Sequence, residues 1–381
     1  MATFSSFILQ PSAFMITAVV MVGESGGESE PVAWVQAARR AAAADLLEQL
    51  AHQPLIEQTI LVTPEAEGLP TAAAHHLVTS LPGPLHVGHQ LAQLVEQFQI
   101  ERLLYFGGAS APLLSSESLA EIIGQLATAD HTILTNNRFA SDWAAVTPAA
   151  SVIKWRERLP KDNMLGWVLS TEAGLTCQAQ PATAATRLDI DTPTDLLTLR
   201  LHPRTKPHLR RCLAGLPLDT GRLERALAVL NRPASRVFIA GRLGPEVWLA
   251  LNRVTQAWLR VISEERGLVS SGRQERGEAH SFVAEYIEAA GMERFFGLLA
   301  EWADTAFMDT RVLMTHGGRP QPAQTSRFAS DLDQPEWIEE PWLRDFTRLA
   351  SAAPIPIILG GHSLMAGDML AFCEMPRYNL V

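Results

Sequence analysis

A chain of 381 residues is long for one hydrophobic core and short for three, which predicts two domains. With 47% hydrophobic and 19% charged residues, its composition is that of an ordinary globular protein and excludes a disordered or disulfide-scaffolded chain. A formal net charge of −10, from 31 Lys and Arg against 41 Asp and Glu, argues against a nucleic-acid partner, because phosphate contacts need a concentrated basic footprint.

The sequence starts with an apolar stretch, Phe4 to Val22, that is interrupted by Gln10, Pro11 and Ser12 and has no basic leader. It reads as a loose extension over residues 1–14 rather than a signal peptide, and no later stretch has the ~18–20 apolar residues of a membrane span. Cys177, Cys212 and Cys373 lie far apart without CxxC spacing, as expected of small buried side chains in a reducing, cytoplasmic compartment.

From Ile16 an apolar, β-branched run ends in Gly23-Glu24-Ser25-Gly26-Gly27, the pattern of a buried strand feeding a glycine loop. An Ala-rich helix is predicted over 32–52 and a strand over 59–62, stopped by Thr63-Pro64. The order then repeats with a helix over 88–98, a strand over 102–106 and the loop Gly107-Gly108-Ala109-Ser110-Ala111-Pro112. A helix over 116–129 and a strand over 131–134 follow, the strand running into Thr135-Asn136-Asn137. Alternating strands and helices predict an α/β fold, a three-layer and mostly parallel sheet whose ligands sit at the carboxyl ends of the strands.

Beyond Pro193 the chain turns Leu- and Arg-rich, with Pro203, Pro207 and Pro217 as punctuation. The first domain is therefore placed at 15–203 and a mainly α-helical second domain at 204–381. Within the second, short strands are predicted at 236–240 and 354–359, a helix at 246–261 and one or two helices at 281–307.

In Leu188-Asp189-Ile190-Asp191-Thr192-Pro193-Thr194-Asp195-Leu196 the first two acids are two residues apart. In an extended segment they face one side and are able to share a divalent cation. Helix capping accounts for Thr192, Pro193 and Asp195 but not for Asp189. Together with the loops after residues 22 and 106 and the Asn136/Asn137 segment, this tail resembles that of the MobA-like nucleotidyltransferases, including the 2-phospho-L-lactate guanylyltransferase type of coenzyme F420 biosynthesis, over residues 15–200.

The resemblance implies a nucleotide-diphospho-sugar transferase-like fold and transfer of a nucleotidyl group from a nucleoside triphosphate to a small phosphorylated or hydroxylated acceptor. Asp189 and Asp191 would be the catalytic and metal-binding carboxylates, with Mg²⁺ or Mn²⁺ as cofactor. Gly23, Ser25, Gly26, Gly27, Gly107, Gly108, Ser110, Asn136, Asn137 and Asp142 would line the nucleotide site. Two departures stand out: three acids, Glu24, Glu28 and Glu30, replace the basic signature of the first loop, and Ser110 stands where the family has a metal-binding Asp. They leave open a non-catalytic nucleotide- or ligand-binding relative. The Asp-x-Asp pair also leaves open a nucleotide-sugar glycosyltransferase of related fold, although there the pair is expected mid-domain.

Asp162-Asn163 is a further candidate near the strand ends, and His86 and His89 precede a helix whose start suits either a bound phosphate or, more simply, solvent. In the second domain Arg266-Gly267, Gly272-Arg273, Gly318-Arg319 and Gly360-Gly361-His362-Ser363 combine flexible backbone with groups suited either to an oxyanion or to a structural ion network. No HExxH spacing is present, which leaves little for a zinc protease. The second domain supplies either a further pocket or a homo-oligomer contact.

Overall fold

The structure is a computed structural model that describes residues 15–23, 29–81 and 86–375. The extension 1–14 and the loop positions Ser25, Gly26 and Gly27 lie outside the described residues. Seven strands form the first sheet: β1 (Ile16–Met21), β2 (Ile56–Val62), β3 (His76–Val78), β4 (Arg102–Gly107), β5 (Thr132–Thr135), β6 (Trp143–Thr147) and β7 (Thr176–Ala179). Their order is β3-β2-β1-β4-β6-β5-β7, parallel throughout except that β6 runs antiparallel to both of its neighbours. The central strands are continuous apolar runs because helices cover both faces, as the buried Val19, Val20, Leu103 and Leu104 show. The two apolar layers on either side of the sheet are separate clusters, one under the helices Glu30–Ala51 and Ser116–Thr128, the other under Val87–Gln97.

The second half has more residues in helices than in strands, and its helices enclose a four-stranded sheet: β8 (Arg236–Gly241), β9 (Trp258–Ser263), β10 (Thr305–Asp309) and β11 (Ile357–Gly360). The order is β11-β10-β8-β9 and every pairing is parallel. β8 and β11 answer the expected strands. β9 and β10 correct the helices expected over 246–261 and 281–307. The first of those helices ends at Val254, and the β-branched and aromatic residues that follow form an edge strand that alternates between exposed and half-buried. Gly291, at φ 87°, splits the second into Phe282–Ala290 and Met292–Trp302; β10 is then a five-residue, fully buried run whose periodicity does not distinguish strand from helix.

The two halves share a core. Leu188, Ile190 and Leu196, from the segment that leaves the first sheet, pack in one cluster with Val237, Ile239, Phe307, Ile358 and Met365 of the second. Gly367 makes this contact possible: a Cβ there would lie 2.2 Å from Leu188 Cα. The carboxyl ends of both sheets consequently open onto a common seam, and that seam positions the sites below.

Candidate active site

At the carboxyl ends of β1 and β4 lies a cavity of about 310 Å³ whose walls carry Asp142, Asp162, Asp189 and Asp191. The four acids come from three local devices. Asp189 and Asp191 flank Ile190, which the backbone fixes by an isolated antiparallel bridge between Ser110 and Asp189 and by the bond from Ala111 N to Leu188 O at 3.1 Å. Asp142 ends the short loop before β6. Its carboxylate accepts from Asn136 Nδ2 at 2.6 Å, while its own amide donates to Asn136 Oδ1 at 3.0 Å. Asp162 opens a 3₁₀ turn and accepts the Tyr105 hydroxyl at 3.1 Å.

The acids are poorly neutralised. Arg39 reaches Asp191 at 3.3 Å but spends its Nε on the carbonyl of Ile190 at 2.7 Å. Burial, then the charges of Asp191 and Asp162, pushes the Asp142 carboxyl up to about 8. Burial and the neighbouring Asp191 and Asp142 raise Asp189 well above the ordinary carboxylate range, and burial raises Asp162 as well. Desolvation, reinforced by Asp162, raises the Tyr105 phenol too, so it stays a donor. Carboxylates held close together with this little countercharge suit a hard divalent cation, whose ligands are oxygens of this kind.

The residues named from sequence divide into three groups. Asp189, Asp191, Asp142, Gly23, Gly107, Gly108 and Ser110 all line this cavity. Gly108 is required sterically, since a Cβ would meet Val22 Cγ2 at 2.7 Å and push the loop off the end of β1. Asn136 is buried behind Asp142 and holds it, whereas Asn137 faces a different cavity in the seam. The Ser110 hydroxyl is engaged by the carbonyls of Gly107 at 2.5 Å and Asp142 at 2.9 Å, so it ties two loops together. Ser25, Gly26 and Gly27 lie outside the described residues.

Asp162 was one of two candidate polar segments in the sequence, and Asn163 beside it donates to Asp142 at 3.4 Å. Tyr105 and Arg39 carried no signal, one lying within an apolar strand and the other within an Ala-rich helix. His86 caps the helix Val87–Gln97 and His89 pairs with Glu157 at 3.0 Å.

Among the described residues one cluster elsewhere has metal-ligating residue types: His280, Glu285 and His316. His316 Nδ1 accepts the amide of Ser281 at 3.0 Å, so the ring hydrogen of the neutral imidazole sits on Nε2, which faces Glu285 at 3.5 Å and Glu288 at 3.6 Å. A ring engaged in this way offers no lone pair to a cation. His316 is held between the Ser281 amide and two carboxylates. Cys177, Cys212 and Cys373 are free thiols of intermediate burial, and no helix among the described residues is long and apolar enough to cross a membrane.

No family model matches the chain and no curated protein matches it. Among solved structures, a cytidylyltransferase from Leptospira borgpetersenii serovar Hardjo-bovis is 16% identical, with a TM-score of 0.37 over 52% of this chain and 93% of that one. A 4-diphosphocytidyl-2C-methyl-D-erythritol synthase is 18% identical, with a TM-score of 0.34 over 50% of this chain and 98% of that one. A CMP:2-keto-3-deoxy-manno-octonic acid synthetase complexed with CTP is 8% identical, with a TM-score of 0.30 over 43% and 88%. Likeness at this level concerns fold alone and carries no argument about function.

Proposed function

We propose that the first half binds a nucleoside triphosphate together with Mg²⁺ or Mn²⁺ and transfers its nucleotidyl group to a small acceptor, in the manner of the MobA-like enzymes its tail resembles. One observation carries this reading: four aspartates converge at the carboxyl ends of β1 and β4, the position where sheets of this kind hold ligands. Asp142, Asp189 and Asp191 are the residues that would hold the cation, and Asp162 and Tyr105 line the same cavity. When bound, the cation supplies charge neutralisation for the phosphates.

The chain's own groups supply the rest. Gly107 and Gly108 let the loop backbone approach the ligand, Asn136 fixes the Asp142 carboxylate, and the 310 Å³ cavity limits the water around the phosphates. Arg39 is the one basic side chain among the described residues that line this cavity, and the acids beside it hold their protons more tightly than usual until a cation displaces them. A triphosphate without a cation would find little countercharge there.

The test is thermal unfolding of the full chain with ATP, GTP, CTP or UTP, with and without Mg²⁺ or Mn²⁺, followed by release of diphosphate once an acceptor is supplied. A matching nucleotide with cation at about a hundred times its Kd should stabilise the protein by ~2.7 kcal/mol, and nucleotide alone should do nothing measurable. Asp189→Asn keeps the acceptor oxygen that Ile190 N uses at 2.9 Å and should abolish the shift. Stabilisation that is indifferent to the cation and to Asp189 would instead support a non-catalytic ligand-binding protein. No stabilisation under any condition would sink the reading.

A further inference from the structure

The second sheet has a ligand position of its own. The chain leaves β8 for β9 on one side and returns past β8 to β10 on the other, so the connections reverse between β8 and β10. Open parallel sheets form their binding crevice at that reversal, outside the carboxyl ends of the strands. Just beyond those ends stand Arg242, Arg311 and, after β11, His362. Gly241, at φ +138°, turns the chain so tightly that a Cβ would lie 2.3 Å from Asp309 Cβ, and this brings the Arg242 guanidinium onto both Asp309 oxygens at 2.6 and 3.1 Å.

Two adjoining cavities, of about 540 and 320 Å³, open there and share Arg242, Ser270 and His362. The smaller also touches Asp142 and Asp191, so it abuts the carboxylate cavity of the first sheet. The larger is walled from the first half by Phe139 and Trp167, whose ring centroids are 5.6 Å apart.

Two of the cations along these walls stand outside any ion pair among the described residues. Asp309 neutralises Arg242 and Asp331 neutralises Arg311. Arg327 in the smaller cavity and Arg266 in the larger have no carboxylate partner among the described residues, and the buried Nε of Arg327 and Nδ1 of His362 make no hydrogen bond there. Buried polar atoms left in this state are costly unless a ligand completes them, and guanidinium forks are matched to oxyanions.

We propose that this pair of cavities binds an organic oxyanion, its phosphate or carboxylate held by Arg327, Arg242 and His362 in the smaller cavity and its apolar or aromatic body against Phe139 and Trp167 in the larger. The ligand sits beside the aspartates of the first sheet, and its identity as the acceptor rests on the transferase reading above. The binding site itself does not.

The test is calorimetric titration of the full chain, without nucleotide or cation, with phenyl phosphate, benzoate and inorganic phosphate. Saturable binding of phenyl phosphate or benzoate is expected, at least about tenfold tighter than inorganic phosphate, and whichever of the two binds better identifies the acid group. Arg327→Gln breaks no ion pair and should weaken that binding about tenfold or more. Phe139 is 54% exposed, so Phe139→Ala should fold, weaken the aromatic probe about threefold or more and leave inorganic phosphate unaffected.

No saturable binding by any probe, equal affinity for inorganic phosphate and phenyl phosphate, or indifference to both substitutions would overturn the proposal. Asp189→Asn separates the two readings, because it should retain the probe while losing the nucleotide. Probe binding without any nucleotide binding removes only the transferase reading, and the reverse removes only this one.

Discussion

The role of Ser110 turns on two hydrogen bonds. In the resembling family an aspartate at that point binds metal, and a serine in its place reads from sequence as a weakened ligand. In the structure its hydroxyl is already used, shared between the carbonyls of Gly107 and Asp142. The carboxylates stand elsewhere, with Asp142 itself held in place by that bond. Ser110→Ala should therefore cost ~1 kcal/mol of stability, the usual worth of a buried hydrogen bond, while changing cation affinity by less than about threefold. Denaturant unfolding and a Mn²⁺ titration check the two halves of that expectation; unchanged stability with a large loss of affinity would make Ser110 a ligand after all. Asp189 and Asp191 were legible because alternation in an extended segment is a local rule. Asp162 was legible only as a polar residue before an apolar stretch, since its approach to Asp142 depends on the 3₁₀ turn and on the packing of two distant segments. Arg327 was legible as one of many arginines, and only the fold shows that its buried Nε makes no hydrogen bond among the described residues.

Two helices bring a second pair of acids into the seam. Asp195, in the first turn of Pro193–Leu201, accepts the amides of Asp191 at 2.7 Å and Thr192 at 2.6 Å, the capping role expected from its position. Asp368, in the first turn of Gly367–Glu374, is wholly buried, with its carboxyl against the Asp195 carboxyl and the Thr198 hydroxyl. Burial pushes its carboxyl up to about 6, and burial with the charge of Asp368 raises Asp195 well above the usual range. A raised folded-state value means that the native state holds its proton more tightly than the unfolded chain. Stability from this group is thus fully present below the unfolded value near 4, and it is lost as pH climbs from there to about 6. Asp368→Asn should remove that loss, giving a Tm above the parent at pH 7 and a vanishing difference near pH 4; scanning calorimetry at both pH values tests it, and a lower Tm for the variant at pH 7 would refute it. The same scale shows what pattern reading can and cannot recover. In the first sheet β1, β2, β4 and β5 were visible as apolar runs that end in loop residues, whereas the short β3, β6 and β7 were not. β9 and β10 were hidden because an edge strand after a helix, and a five-residue buried strand between helices, carry too few residues for their period to show.

At the scale of the whole molecule, the change of texture after Pro193 marks the end of the first sheet but not a boundary between independent cores. Leu188, Ile190 and Leu196 share one apolar cluster with β8, β10 and β11; Ile16–Met21 and its neighbours have clusters of their own on both faces. Helix Glu30–Ala51 belongs to both worlds. Val32, Val35 and Ala38 pack into the shared cluster, while Leu46, Leu47 and Leu50 pack into the first sheet's layer. Polar contacts tie the same helix to the second half, as Asp45 accepts the amides of His208 and Leu209 at 2.9 Å each. A helix that bridges two cores couples their unfolding, because losing either exposes part of its buried face. Calorimetry of the full chain should therefore give one transition whose calorimetric and van't Hoff enthalpies agree. A fragment ending at residue 203 should expose the Leu188–Leu196 surface and bind hydrophobic dyes or aggregate rather than unfold cooperatively. Two resolved transitions, together with a cooperatively folded fragment, would show instead that the seam is an interface between domains able to stand alone. In that case the adjoining cavities would open and close with domain motion, and nucleotide added to the first half would no longer raise the melting of the second.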